Sequence, residues 1–593
     1  PDASRAWLSR VRGITLHERS QNGGFIAACN DGALRACAPY LVFLNNDTRV
    51  VTGWLDGLIK SFGSLSDAEL VGSKLFYPDG SLQEAGAIIW RDGSAWNYGR
   101  NDDPGRPEYC YARPVDYVSG ASIAITREVW REIGGFDAKY TPAYGEDSDL
   151  ALKIRYSRNK QVWLQPLSRV IHYEGKTSGT DVNQGAKSHQ IRNAQTLFET
   201  WRKDLLTHRE NGVAPALEKD RNVAKRALVI DATTPEPDKD AGSLTCFELM
   251  RALQTAGFGV SFAAENLLYL ADATANLQSV GIEALYYPFY QSLEQALRER
   301  GGDFDIVLIF RLDVAGRHLE IVRRYCPRAR VIFHCSDLHF LREERQALLS
   351  GDSSALTSAE KTKQRELKIF SSVDASIVHS TFEKDLLTDL APDAKVTVFP
   401  WILEPVPSKI GFRDRRDIAF LGGYRHTPNV DAVLYFVERI WPLVRAKHQE
   451  MKFIVAGSEC PDELLALHGR DNIEVIGFVG DLEDFFGRLR LSVAPIRYGA
   501  GIKGKVAMSL AHGVPTLVTS CAAEGMELRD GEAVIIRDDE AGFAQALVQL
   551  YDDEEAWTRM SQHASRFVEL TYGSAAARRK VKEMLDLAGV PAE

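Results

Sequence analysis

The sequence predicts an α/β protein made of several domains with parallel sheets. Three observations carry that expectation. From about residue 227 onward, short β-branched runs alternate with helical segments of roughly 10 to 15 residues, the pattern of βα units. Gly-containing turns follow several of these runs, where a strand hands over to a helix. And 593 residues, at a prior of roughly 150 per domain, suffice for about four compact units.

Composition narrows the function classes. Apolar residues make up 45% and charged residues 26%, so each unit can bury a core and wholesale disorder is excluded. A net charge of -10 disfavours a generally basic nucleic-acid binder, and no nucleic-acid partner is expected. No apolar run approaches the ~20 residues that cross a bilayer, and no charged-then-apolar signal opens the chain. The expected location is cytoplasmic, with the inner face of the cytoplasmic membrane as an alternative. The eight cysteines are scattered without a CxxC pair, which reads as reduced thiols. Residue 1 is Pro rather than Met, so the chain is expected to begin inside a longer gene product.

Taken in order, residues 1–212 mix short strands with Gly-rich turns, and Arg202 to Arg226 reads as a helix followed by a linker at 213–226. The next series of strands is Ala227 to Ile230, Ile306 to Phe310, Val331 to Phe333, Ser376 to Val378 and Val396 to Phe399, in a domain of 227–405. Within it Cys246, Leu249, Met250 and Leu253 fall at i, i+3, i+4 and i+7, one apolar helix face closed by Gly257. The last domain, 406–593, has strands at Ile418 to Leu421, Phe453 to Ala456, Ile473 to Ile476, Leu491 to Ala494, Thr516 to Val518 and Val534 to Ile536. Pro400 to Pro407 reads as the hinge between these two Rossmann-like sheets.

In the first domain Tyr40 to Leu44 reads as a buried strand running into Asn45-Asn46-Asp47-Thr48, and ligands gather at the carboxyl ends of strands in α/β sheets. Alone, that turn is also an ordinary Asn-Asp turn. Tyr144-Gly145-Glu146-Asp147-Ser148-Asp149 opens a helix, where one acid is commonly a cap. Three carboxylates exceed that need, and a pair near a cation can supply a general base. His172, ending the strand-like Ser168 to Ile171 before Tyr173-Glu174-Gly175, is a structural histidine or a metal ligand.

Asn22-Gly23-Gly24-Phe25 with Asn30, the Leu44 to Thr48 turn, Gly134-Gly135-Phe136-Asp137, the Glu146-Asp147 pair and His172 together resemble a family 2 glycosyltransferase of the GT-A fold, over about Ser20 to Gly175. The resemblance implies that Asn45, Asn46 and Asp47 correspond to the DxD-type turn at the donor, with Asp47 and His172 binding a divalent cation, Mg or Mn. It implies Asp147 as the base of an inverting transfer, with Glu146 as acceptor contact or alternative base. The family opens with a strand and a second βα unit that hold the nucleotide, and nothing before Ser20 matches them. The domain is expected to lack its first βα units.

In the second part, Asp231 to Ser243 is a strand-to-helix loop whose Gly242 lets backbone N–H groups approach an anion. Arg497-Tyr498-Gly499-Ala500-Gly501-Ile502-Lys503-Gly504-Lys505 follows a strand and fits a diphosphate, with amides cradling oxygens and Lys503 neutralising charge. It is also readable as a solvated Gly-rich loop. His334 to His339 follows a strand, and Asp337 and His339 either position an acceptor or form a buried polar cluster.

Leu421 to His426 with Pro428-Asn429, the Gly499 to Lys505 loop, Ala511-His512-Gly513-Val514-Pro515 and Ala523 to Met526 resemble a family 4 glycosyltransferase of the GT-B fold, over residues 227–593. That implies a retaining transfer from a nucleotide sugar in the cleft between the halves, with no cofactor, and with Arg425 and Lys503 on the diphosphate. The loop departs from the family's pair of glutamates, and Glu524 is the candidate for the ribose. The leading expectation is a bifunctional glycosyltransferase that builds a surface polysaccharide such as an O-antigen. It would use nucleotide-sugar donors and an oligosaccharide or lipid-linked saccharide acceptor. The alternative keeps catalysis in the GT-B unit and makes the first domain a saccharide-binding scaffold. A Rossmann oxidoreductase lacks its GxGxxG turn. Arg578, Arg579, Lys580 and Lys582 give the last helix either a solvated face or a peripheral membrane contact.

Overall fold

The computed structural model describes residues 7–173, 189–399, 401–406, 408 and 410–590. Pro1, Glu174, Gly175, Pro400 and Pro407 lie outside the described residues. The chain divides into two units, Pro1–Ala224 with Leu270–Ala284, and Lys225–Tyr269 with Leu285–Glu593. No described helix is long and apolar enough to cross a membrane.

The strands of the first unit are β1 (Tyr40–Leu44), β2 (Thr48–Val50), β3 (Ala68–Phe76), β4 (Leu82–Glu84), β5 (Ala87–Ile89), β6 (Ala95–Asn97), β7 (Arg113–Pro114), β8 (Ser122–Thr126) and β9 (Gln161–His172). They form a mixed sheet of order β1-β8-β3-β9-β2, with β4 on β3 and β7 on β9, and β5 and β6 pair as a separate hairpin. Ile123, Ala124 and Ile125 of the central β8 are all fully buried, as a strand covered on both faces requires. The strand expected at Ser168 to Ile171 is the end of the longer β9, which is interrupted. Its register against β3 jumps from Gln165 opposite Ser73 to Arg169 opposite Lys74. Pro166 sits in the jump, where it has no N–H to give to the ladder.

The helix Arg127–Ile133 is capped by Thr126 and ends at Gly134, φ +83°. Gly135 follows at φ +71°, and a Cβ there would stand 2.6 Å from Asn30 Oδ1. That turn delivers Phe136 into an aromatic cluster with Phe25, Phe43 and Trp130. The Asn30 amide clamps it from the other side, accepting from Phe136 N at 3.0 Å and donating to Phe136 O at 2.9 Å.

The segment expected as a linker, 213–226, contains a short helix, Pro215–Glu218. Glu218 is buried and accepts from Arg209 N and Arg209 Nη1 at 3.0 and 2.7 Å. Arg221 pairs with Glu218 and with the buried Asp116. Buried carboxylates need such partners, and that ties the segment to the first unit. The exit helix also lies earlier than expected, at His189–Leu205.

The second unit contains two sheets. The first has β10 (Lys225–Asp231), β11 (Phe258–Ala264), β12 (Ile282–Leu285, of which Leu285 falls in this unit), β13 (Ile306–Phe310), β14 (Arg330–His334), β15 (Ala375–Val378) and β16 (Val396–Val398), in the order β12-β11-β10-β13-β14-β15-β16. The other has β17 (Asp417–Leu421), β18 (Phe453–Ala456), β19 (Ile473–Gly477), β20 (Leu489–Ala494), β21 (Thr516–Val518) and β22 (Val534–Ile536), in the order β19-β18-β17-β20-β21-β22. The recorded pairings within both are parallel. In each sheet the strand order reverses beside its first strand, and the crevice beyond the carboxyl ends at that point is where such sheets bind ligands. Cys246, Leu249, Met250 and Leu253 are fully buried on the helix Ala241–Thr255.

Candidate functional site

In the first unit the register of β2 against β9 builds the site. Thr48 stands opposite His172, and Tyr173 N continues the pairing to Asp47 O at 2.9 Å. His172 Nε2 therefore faces Asp47 Oδ1 at 3.4 Å. The other ring nitrogen, Nδ1, lies 3.0 Å from Gln83 Oε1. An amide oxygen can only accept, so Nδ1 donates to Gln83, and Nε2 is the nitrogen turned to Asp47. Asn45 and Asn46 form the turn before Asp47, and Asn45 N donates to Ala121 O at 2.9 Å.

Glu146 and Asp147 open the helix Glu146–Leu152 behind Gly145, φ +94°. Asp147 accepts from Gly120 N at 3.2 Å and from Ser148 N at 2.8 Å. Glu146 is buried, and its Oε2 has no hydrogen-bond partner among the described residues. Burial first and the charge of Asp147 second push the Glu146 carboxyl up to about 8. Burial also raises Asp147, against the bonds from Gly120 and Ser148. Asp149 is different in kind: Tyr140 and Trp201 donate to it at 3.1 and 2.9 Å, and Lys153 pairs with it. It anchors the helix.

A segment missed by sequence reasoning joins these groups. Ser119 N donates to Glu84 Oε1 at 3.0 Å, Gly120 N to Asp147, and Ala121 O accepts from Asn45 N. Three consecutive residues thus link the DxD-like turn, the acidic helix start and β4, whose Gln83 holds His172. The only signal in the sequence was the small-residue run Ser119-Gly120-Ala121 before a strand. Among the described residues no group of three or more His, Cys, Asp or Glu is disposed to hold a metal, so Asp47 and His172 are a pair.

In the second unit Lys503 is buried at the start of the helix Gly504–Ala511. Its Nζ donates to Ala500 O and Gly501 O at 3.2 and 2.5 Å. Burial lowers it from the ordinary lysine value, and burial with the Lys503 charge brings Lys505 down to about 7. Arg345, which no pattern in its charged helix His339–Ser350 marks out, donates to Gly499 O at 2.7 Å and to both Glu524 oxygens at 2.7 and 2.9 Å. The loop between Gly499 and Gly501 thus turns its carbonyls to cations. Arg425 is not brought to it: its side chain is 86% exposed and pairs with Glu459.

Asp337 pairs with Arg342 and lies 3.6 Å from His339 Nδ1. His339 N and Phe340 N donate to the buried Glu366, and Leu338 N to the buried Glu383. Burial disfavours a charged His339 ring, but the Glu366 bond and the Asp337 charge outweigh it and raise its pKa. Gly242 lies in the first turn of its helix, and a Cβ there would be 3.4 Å from Arg311 Nη2. Arg311 itself holds the buried Asp231 at the end of β10, at 2.6 Å.

Two Rossmann-like halves with glycines and cations at their switch points have the GT-B architecture expected from the sequence. Residues 415–553 match the model of a family described as Glycosyl transferases group 1, and the chain carries a glycosyltransferase domain. It is 32% identical over 166 residues to the O-antigen biosynthesis protein RfbC of Myxococcus xanthus, covering 26% of this chain and 12% of that protein. It is 24% identical over 167 residues to an N-acetylglucosaminyl-diphospho-decaprenol L-rhamnosyltransferase of Mycobacterium tuberculosis, covering 25% and 52%. The chain thus spans about half or less of these relatives' own length. A crystal structure of TarM shares the fold, with a TM-score of 0.51 and 9% identity, covering 62% of this chain and 99% of that one.

Proposed function

We propose that the chain holds two sugar-transfer sites, an inverting one in the first unit and a retaining one in the second, and extends a surface polysaccharide from nucleotide-sugar donors. The observation that carries the first site is the junction at Gly120 and Ala121, which ties the Asp47 turn to Asp147 through adjacent residues. The names of the O-antigen and rhamnosyl relatives support the polysaccharide, and a lipid-linked acceptor at the inner membrane face is part of the same reading.

In the first unit Asp47 and His172 would hold a divalent cation, Mg or Mn. The donor set fits: a carboxylate beside an imidazole nitrogen whose other nitrogen is fixed by Gln83. When bound, that ion neutralises charge on the leaving diphosphate. Asp147, aligned by the Gly120 and Ser148 amides, takes the proton of the acceptor hydroxyl as its oxygen bonds to the sugar carbon opposite the leaving group. Glu146 beside it contacts the acceptor or shares the proton.

In the second unit Lys503 neutralises the departing diphosphate, and Glu524, oriented by Arg345, takes the ribose. Asp337 and His339 position the acceptor, fixed by Glu366 and Glu383. A test follows nucleotide release by the full chain from candidate donors with saccharide acceptors. Asp47→Ala is expected to remove one donor activity and Lys503→Ala the other, each by about 10² to 10³ fold. If neither activity falls, the site assignment is wrong. A donor activity wholly insensitive to Asp47→Ala while Lys503→Ala abolishes all turnover leaves only the scaffold reading for the first unit.

A further inference from the structure

The β5–β6 hairpin and the loop after it shape a cavity of about 530 Å³ in the first unit, lined by Trp96, Asn97, Arg100, Asn101, Asp102 and Tyr109. Its floor is rigid. Gly99, φ +79°, has no room for a Cβ, which would lie 2.5 Å from Leu82 and 2.7 Å from the Tyr109 ring. Asn101 takes φ +66°, a conformation that Asn tolerates better than most residues. The loop is stitched to β4 by Asn101 N to Leu82 O at 2.8 Å and Leu82 N to Asp102 O at 3.2 Å. Tyr109 donates its hydroxyl to Asp102 at 2.9 Å.

Trp96 is 43% exposed at this cavity, yet its ring is held. Trp90 meets it edge-on at 5.0 Å, and Gly212 lies close enough that a Cβ would touch the ring at 3.3 Å. A fixed, half-open indole beside planar amides and a carboxylate is a combination with a chemical meaning. The C–H face of a pyranose packs on an aromatic face, and amide and carboxylate groups pair with vicinal hydroxyls. The size lies in the ordinary range for small-ligand sites, roughly 300 to 1,000 Å³.

We propose that this cavity is a saccharide-binding subsite, in which a pyranose ring stacks on Trp96 while Asn97, Asn101 and Asp102 take its hydroxyls. A nucleotide is the competing occupant, since Arg100 also lines the cavity, and UMP separates the two. The cavity is one strand residue from the transfer site, since Leu82 holds its loop and the next residue, Gln83, holds His172. Under the sugar-transfer reading above, its occupant is a ring of the saccharide acceptor. Binding itself stands on the cavity alone.

Saturation-transfer NMR on the full chain, with the methyl glycosides of glucose, galactose, rhamnose and N-acetylglucosamine and with UMP as separate probes, tests this. At least one glycoside is expected to receive saturation on its ring C–H protons. Trp96→Ala should cut the effect at least fivefold, Trp96→Phe should retain most of it, and Asn101→Ala, at an exposed position, should cut it at least twofold. Asp47→Ala should leave it unchanged, so that failure of the transfer reading and failure of this one are seen separately. No transfer to any glycoside, transfer unaffected by both Trp96→Ala and Asn101→Ala, or Trp96-dependent transfer to UMP alone overturns the proposal.

Discussion

Glu146 and Asp147 are neighbours in sequence with different surroundings. Asp147 receives two backbone N–H groups, whereas Glu146 is buried with an oxygen that no described residue bonds. The protonated form of Glu146 is favoured, because burial disfavours its charge and Asp147 repels it. Burial also raises the assigned base, Asp147, which gains its basic form as pH rises, so first-site turnover is expected to climb through a limb above the ordinary carboxylate range. Because Glu146 is held protonated and neutral, Glu146→Gln should leave that limb in place, read from a pH–rate profile. The linked effect on stability has a definite sign. The folded value, about 8, exceeds the ordinary 4.5, so the stabilisation is complete below the lower value and lost as pH rises through the higher one. Glu146→Gln should therefore raise the thermal midpoint more at about pH 9 than at about pH 4.

At the level of elements, the second unit was the more legible half. Ile306 to Phe310, Phe453 to Ala456, Thr516 to Val518 and Val534 to Ile536 are strands at those bounds, because buried parallel strands are continuous β-branched runs between turn signals. Phe258–Ala264 went unread: its glycine, serine and alanines carry little strand preference, and its burial comes from the sheet on both sides. Ile282–Leu285, with Glu-Ala-Leu, has helical composition in a strand. The site's acidic turn and carboxylate pair were readable from residue types. The Ser119 to Ala121 connection was not, because it acts through main-chain atoms that any sequence carries. Gly134-Gly135-Phe136-Asp137 proved readable as a motif for a reason of packing. Gly135→Ala combines a positive φ with a clash against Asn30 and Trp130, and is expected to cost about 1 to 3 kcal/mol in urea unfolding. Gly134→Ala meets no neighbouring atom and should cost less.

Across the second unit, glycines govern how closely the halves approach. Gly525, φ +71°, leaves room for Ser380, whose Cβ would be 2.2 Å from a Cβ at that position, and Gly501 lies against Asp337. Arg345 bridges the same gap to Glu524, with both side chains about one quarter exposed. A bidentate, partly buried pair of this kind should show coupling of about 1 to 2 kcal/mol in a double-mutant cycle of Arg345→Ala and Glu524→Ala, measured by urea unfolding. Additive losses would mean that this pair does not couple the halves. In the first unit the candidate metal-binding pair is set by strand register instead. Asp47 meets His172 because Thr48 is opposite His172 in the ladder, and one residue inserted between Asp47 and Thr48 would displace the carboxylate while altering no side chain of the site. That spacing is therefore part of the candidate site itself. A count of residues from Asp47 to β2 is thus as diagnostic of a working site in related chains as the aspartate itself.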